Sequence, residues 1–304
     1  MPSWEPPLWY GGREFQGEDL ALIVATVRRF GGLGFAEVVA TLCEILPWKA
    51  PNGQLKVVAC AQLLQRLQGA GLVQLPARPP ARTRASSERM GTAPPNPKLQ
   101  VPLAAVRPVR VEPVPVEQGP DWNAMMASYH PLGYRRAFGA QQKYWIRGMT
   151  ADGVAVLGGL LFAAAAKALV ARDGWIGWDP EQRRRYRHRI VANARYLLLP
   201  AVQVPHLASH VLALALRRLG SDWRSRYGYE PVLIETFVQR PWAGTCYRAA
   251  NWRLLGETAG RGRQDRAHAK AQTVKAVWVY PLVADWRARL VAPLEVAADG
   301  ELDA

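Results

Sequence analysis

One carboxylate interrupts an otherwise apolar run in this chain. Val232 to Val238 reads as a buried strand, and Glu235 sits in the middle of it. Burying a carboxylate is costly unless it is paired or protonated. Glu235 is therefore either a general base with a raised pKa or the partner of a neighbouring arginine in a structural ion pair. A second feature lies upstream. The apolar run Tyr196–Leu199 passes through Val204-Pro205-His206 into a helical pattern. Leu207, Ala208, Ser209 and His210 then form a helix start directly after a strand. Free backbone N–H groups and a positive dipole end at that place suit a pyrophosphate or another anion. The other reading is an ordinary strand-to-helix turn.

Two arginine-rich segments flank these features. Arg183, Arg184, Arg185, Arg187 and Arg189 crowd one short helix, with Tyr186 and His188 among them. Its faces are basic nearly all round, which solvation alone explains poorly. Arg261, Arg263, Arg266 and Lys270 fall in a glycine-bearing stretch expected to be a loop between the last two strands. Glycines let backbone amides approach phosphates, and arginines bind them bidentately. Trp175, Trp178, Trp242 and Trp252 are candidates for stacking on unpaired bases, or for the core. The expectation is one cleft with an anion-receiving mouth rimmed by both arginine groups.

Other chemistries find less support. His206 and His210 share a helix face at i,i+4, but no glutamate of an HExxH pattern and no third ligand accompany them. No metal is expected. Adjacent Ser209 and His210 do not face each other, so a serine nucleophile is unsupported. Asp173, Asp179, Glu235, Glu257 and Asp265 are too scattered to assign a two-metal site. The cysteines, Cys43, Cys60 and Cys246, form no CxxC pair, which argues against a disulfide framework or zinc module.

The elements that must position these residues follow from periodicity. Helical spacing runs over 18–30, 35–46 and 55–68, and an apolar Leu72–Leu75 follows as a short strand. This order matches a winged helix-turn-helix, whose third helix would offer Lys56, Gln62, Gln65 and Arg66 to DNA. The other reading is a helical protein-interaction cap. Ten prolines fall between residues 77 and 120, mixed with arginines, which predicts an extended linker. Strands are expected at 142–147, 154–162, 196–199, 232–238, 254–258 and 274–280. Helices are expected from Pro180 to Ile190, from Pro205 to Leu219 and from Thr245 to Asn251. The reading is a winged-helix-like domain (1–76), a linker (77–120) and an α/β domain around one mixed sheet (121–304).

Composition bounds the partners. The 304 residues carry 39 Lys+Arg against 24 Asp+Glu, a formal charge of +15. Such a surplus points first to nucleic acid, since neutralising phosphates releases counterions. Hydrophobic residues at 49% exclude global disorder. The longest apolar run, Gly153 to Ala166, falls short of the ~18–20 residues needed to span a bilayer. The N-terminus lacks the plan of a signal peptide. A cytoplasmic protein with no membrane partner is expected.

From Gly244 to Trp252 the chain resembles a known fold. The order of elements is similar to the GNAT acyltransferases. There, the helix after the fourth strand binds acyl-CoA pyrophosphate. The helix after the fifth carries a tyrosine, then Gly or Asn four residues on, then an aromatic. Tyr247, Asn251 and Trp252 stand at that spacing. The resemblance implies Tyr247 as general acid to a thiolate leaving group, opposite Glu235 as base. It leaves the cofactor open, with acyl-CoA the one class it points to. Val204–Ser209 replaces the usual glycine-rich loop, as in a divergent branch that includes Mom-like DNA-base modifiers.

Longer strings resemble the DruA family of the Druantia anti-phage system, which also occurs beside or fused to transposases. They are Tyr129–Arg136, Arg172–Trp178, Val204–Leu212, Glu235–Val238, Gly244–Trp252 and Leu255–Arg263. The chain departs from that pattern at Gln239, where an acid is expected, and at Ala194 and His206, where Ser and Asn are usual. The resemblance implies phage defence or mobile-element biology, with DNA or RNA as the object and other defence-system or transposon proteins as partners. Three activities are compatible with it. One is a GNAT-like transferase acting on nucleic acid. The others are a non-catalytic DNA-binding platform and a metal-dependent nuclease or transposase-related protein.

Overall fold

A computed structural model of the chain describes residues 7–30, 34–46, 48, 50, 55–76, 91–134, 137, 139–258 and 274–291. The N-terminal unit begins with a hairpin, β1 (Leu8–Tyr10) and β2 (Arg13–Phe15), paired antiparallel. Gly11 and Gly12 turn it with φ of 56° and 73°, a conformation open to glycine. Three helices follow: α1 (Gly17–Phe30), α2 (Phe35–Ile45) and α3 (Val57–Gly69). Their apolar stripes bury Ile23, Val27, Val38, Leu42, Leu63 and Leu67. Trp48 closes this core edge-on against Phe15, with ring centroids 5.0 Å apart.

One expectation for this unit changes. Residues 72–75 form no strand, so no wing follows α3 there; the only hairpin of the unit's described residues precedes α1 instead. Three of the side chains expected to read DNA from α3 touch this hairpin. Lys56 Nζ donates to the Gly11 carbonyl at 2.7 Å, the Tyr10 hydroxyl donates to Gln62 Oε1, and the Arg66 guanidinium lies 5.0 Å over the Tyr10 ring. The hairpin contacts three of the four side chains expected to meet DNA, while Gln62, Gln65 and Arg66 all stay exposed.

The larger part is a seven-stranded mixed sheet. Its strands are β3 (Arg110–Pro113), β4 (Gln141–Thr150), β5 (Gly153–Ala164), β6 (Ile190–Leu198), β7 (Leu233–Gln239), β8 (Arg253–Glu257) and β9 (Lys275–Pro281), in the order β3-β4-β5-β6-β7-β9-β8. Only β6 and β7 run parallel, and their register stops after Ala192↔Glu235. Helices α4 (Gly119–Tyr129), α5 (Val170–Ile176), α6 (Pro180–Tyr186), α7 (Leu207–Tyr227), α8 (Thr245–Ala249) and α9 (Trp286–Val291) flank it. The long helix α7 follows the fourth strand and α8 the fifth, as the resemblance to acyltransferases implies. The expected linker is shorter than its prolines imply. Residues 77–90 lie outside the described residues, but from 91 onward the chain is tied down. The Ala201 N–H donates to Asn96 Oδ1, Leu99 bridges Val202, and Val106 and the β3 residue Val111 are buried. Proline is compatible with an edge strand because it removes only an outward donor.

The sheet separates two packing layers. Leu233 and Val279 face a cluster with Ile176, Tyr186, Ile190 and Leu290, beneath α5, α6 and α9. Ile234 and Trp278 face the main core with Val211, Leu212 and Ala215 of α7 and Tyr247 of α8. A buried ion pair fastens the first layer. Arg172 on α5 and Glu235 on β7 both have fully buried side chains, with Nη1 to Oε2 at 2.6 Å. Arg172 also donates to Asp173 Oδ1 and to the Ala166 carbonyl, while Glu235 Oε1 accepts from the Ala166 N–H. Each charge is thus paired and hydrogen-bonded, which is what burial demands. We predict that Glu235→Leu destabilises the fold by about 3–5 kcal/mol, because it strands a buried guanidinium. Arg172→Met added to it should restore much of the loss in urea unfolding. A single variant as stable as wild type would remove this pair from any structural role.

Candidate functional site

The structure divides the residues expected to share one cleft. Side chains alternate across a strand, so Glu235 and its neighbour Thr236 point to opposite faces of the sheet. Glu235 faces α5, where Arg172 and the Ala166 N–H engage both of its oxygens. Tyr247 lies on the other face. Its hydroxyl donates to Asn193 Oδ1 at 2.8 Å, and the Thr236 hydroxyl donates to the Asn193 carbonyl at 3.0 Å. Glu235 and Tyr247 therefore do not form an acid–base pair at one centre. Of the two readings open for Glu235, the geometry supports the ion pair. Burial pushes the Tyr247 phenol well above its ordinary range, so it keeps its proton.

The residue that organises this second face is Asn193, which sequence reasoning missed. Its amide nitrogen donates to the Leu161 and Arg195 carbonyls, and its oxygen takes the Tyr247 proton. It sits where β6 and β7 stop pairing. The available signal was a lone amide in the run Ile190–Leu198, hidden because the expected strand began at Tyr196. The same segment of the chain closes around α8. Gly244 caps it at φ 69°, and a Cβ there would come within 2.8 Å of the Trp278 ring. Tyr247 packs edge-on against Trp252 at 5.0 Å.

The helix start expected to receive an anion opens onto a groove. His206 turns the chain at φ 64° and α7 begins at Leu207. Leu207 itself is buried, and Ala208 is half-buried, its carbonyl accepting from the Tyr196 hydroxyl. Ser209 and His210 line a groove of about 520 Å³ with His206, Arg217, Asn251 and Tyr280. Desolvation, Arg107 and Arg217 all lower the His210 pKa, so this histidine is neutral in a cationic neighbourhood. That setting fits an anionic group such as a pyrophosphate. Tyr247 is not among the groove's lining residues. The residues thus fit the anionic part of an acyl-CoA without assembling a pair to act on its acyl end.

The arginines occupy another place. Arg183 to Arg189 precede β6, while the α7 start follows it, so the two lie at opposite ends of a nine-residue strand, roughly 25–30 Å apart. A single mouth rimmed by this cluster is not formed. Arg183 is drawn toward Asp173 at 3.5 Å, and Arg189 Nη1 donates to the Arg289 carbonyl. Arg184, Arg185, Arg187 and His188 instead face the N-terminal unit, where Arg29 of α1 joins them. Arg29 donates to His188 Nε2 at 2.6 Å and lies over the Tyr229 ring. Burial and the surrounding guanidiniums push His188 down to about 3, so it is a neutral acceptor. Arg29, in the last turn of α1, was not anticipated, since only the packing of the two units brings it here. Arg261, Arg263, Arg266 and Lys270 lie outside the described residues. Of the tryptophans offered for base stacking, Trp252 is buried, Trp175 stacks on Trp286 at 4.3 Å, and Trp178 donates to the Leu290 carbonyl. Trp242 remains exposed. Among the described residues no group of three His, Cys, Asp or Glu side chains is placed to hold a metal, and no helix is long and apolar enough to cross a membrane.

Comparison with known proteins bears on fold and family. No curated protein matches the chain. Among solved structures, similar ones include a variant of spermidine N-acetyltransferase SpeG from Vibrio cholerae, at 11% identity and TM-score 0.37, covering 59% of this chain and 95% of that one. The microcin C7 self-immunity acetyltransferase MccE, in complex with acetyl-CoA and AMP, gives 8% identity and TM-score 0.31 over 46% of this chain; the match spans about three-fifths (61%) of its length. The ribosomal-protein-S5-alanine acetyltransferase of Vibrio fischeri gives 9% and 0.31, over 48% and 63%. Scores this low say nothing of activity. The family described as Druantia protein DruA matches residues 97–277, which take in β3 to β8 and end within β9. More than half of the chain is covered by that match, and the chain belongs to the DruA family.

Proposed function

We propose that the protein binds nucleic acid as part of anti-phage defence or a mobile element, through the seam between its N-terminal helices and the α/β part. One observation carries this reading. Arg29, Arg184, Arg185 and Arg189 gather around the α6 segment, Arg29 and Arg189 both acting on His188 and Arg29, Arg184 and Arg185 lining one cavity. Cations brought this close repel one another, and polyanionic phosphates relieve that repulsion. The formal charge of +15 adds a long-range attraction of the same sign. Arg184, which is exposed, is the natural first contact.

A second reading, group transfer to nucleic acid, is favoured by the α7–α8 groove alone. Its volume suits a small ligand, and the helix start with Ser209, Arg217 and Asn251 offers donors to an anion such as acyl-CoA pyrophosphate. When bound, that cofactor class would supply an activated acyl group. This chain's part would be to hold the anion at the α7 start and to keep Tyr247 protonated.

The two readings give separable expectations. Arg184→Ala/Arg185→Ala is expected to weaken duplex binding and to flatten the slope of log K against log salt by about 1–2. Unchanged affinity and slope, measured by fluorescence anisotropy across a salt series, would remove these arginines from the interface. For the groove, calorimetry should detect acetyl-CoA binding that is lost on Arg217→Glu while nucleic-acid binding survives. No heat with the wild-type protein would end the transfer reading and leave a binding protein.

A further inference from the structure

We propose that the seam between the two units holds a site for a terminal phosphate group, a phosphate monoester. Resting on the nucleic-acid reading, it deepens that reading by naming which phosphate is held. A cavity of about 90 Å³ lies between α1, α2, α7 and the α6 segment. Cationic and donor groups dominate its polar lining: Arg29 from α1, Thr41 from α2, Arg184, Arg185 and Arg187 from the α6 segment, and Trp223 from α7. Among the described residues, no Asp or Glu lines it.

Two of these groups lack partners. The Thr41 hydroxyl is buried and makes no hydrogen bond. Trp223 is 1% exposed, and its indole N–H also makes none. The Tyr229 phenol is near enough for that N–H to lower its pKa, but the contact falls outside hydrogen-bond geometry. Orphaned buried donors are costly, so two beside a cluster of guanidiniums call for an acceptor. An oxyanion answers all of them at once. Its oxygens accept from the indole N–H, the hydroxyl and the arginines, and its charge offsets the repulsion among the cations.

Size narrows the class. One water needs roughly 10–15 Å³ by this measure, so the cavity has room for a tetrahedral oxyanion. It falls far below the ~300–1,000 Å³ of sites that enclose a whole small-molecule ligand. A nucleoside therefore stays outside. A phosphate in mid-chain would have to bring two sugars with it, whereas a chain end presents the group alone. Arg184, exposed at the rim, leads from the outer surface to the cavity.

The test compares short single strands carrying a 5′-phosphate, a 3′-phosphate or hydroxyls at both ends, with inorganic phosphate as a separate probe. Thr41→Val and Trp223→Phe remove the orphaned donors without touching an arginine. The expected result is that one phosphorylated end binds at least about tenfold tighter than the hydroxyl-ended strand. That preference should shrink in Thr41→Val, whose own melting temperature stays level or rises because an unsatisfied hydroxyl is gone. Thermal stabilisation by inorganic phosphate should fall in the same variant, which guards against Trp223→Phe failing to fold. Equal, salt-sensitive binding of all three strands would overturn the terminal-phosphate site and leave the nucleic-acid reading standing. Stabilisation by inorganic phosphate with no strand bound would keep the site and overturn the nucleic-acid reading. No response to any probe would overturn both.

Discussion

The buried pair of Arg172 and Glu235 is the constraint on which the arrangement of this protein depends. Two charges without access to water survive only when each is matched and hydrogen-bonded. Here the match crosses between elements, tying the short helix α5 to the strand β7. Asp173, next in sequence, shares the Arg172 guanidinium and reaches Arg183 at 3.5 Å. The chain of contacts therefore runs from the centre of the sheet to the first arginine of the basic segment. A seven-residue helix such as α6 has little stability of its own. Its capping box at Asp179 and Gln182 starts it, and the ion-pair chain holds its far side in place.

That constraint also decides what Glu235 does. A carboxylate with both oxygens committed beneath α5 is unavailable to a substrate on the α7 face. The sheet thus separates two chemistries. On one face, cations are neutralised inside the protein by Glu235 and Asp173 or gathered at the seam by Arg29. On the other, Asn193 and Tyr247 close the point where β6 and β7 part, and a groove opens at the head of α7. The arginine cluster and the groove at the head of α7 thus lie at opposite ends of β6 rather than around one cleft.

Much of the architecture was legible in the chain. The strands β4, β5, β7, β8 and β9 and the helices α1, α2, α3 and α7 follow from apolar periods long enough to be unambiguous. The DruA resemblance rested on strings such as Arg172–Trp178 and Gly244–Trp252, which the family match covers. Periodicity failed where another effect prevailed. Residues 91–113 read as linker because their prolines suppress any period, yet an edge strand tolerates proline, and Val106 and Val111 are buried. Helix α5 went unseen because its seven residues include Arg172 and Asp173, polar groups that belong inside only when Glu235 is there to meet them. The hairpin contacts of Lys56, Gln62 and Arg66 went unseen because nothing local revealed β1 and β2.

What the amino-acid order by itself determined is the list of ingredients: a cationic chain, a carboxylate in an apolar strand, a helix start after another strand, and the family. Those are properties of residue type and near-neighbour spacing. Only the tertiary structure decided which ingredients meet. Strand alternation put Glu235 and Tyr247 on opposite faces, and the direction of β6 put the arginines and the α7 start at opposite ends. The packing of α1 against Tyr229 delivered Arg29 to His188 across 159 residues of chain. Contacts between residues so far apart depend on how whole elements pack, and spacing along the chain carries no record of that.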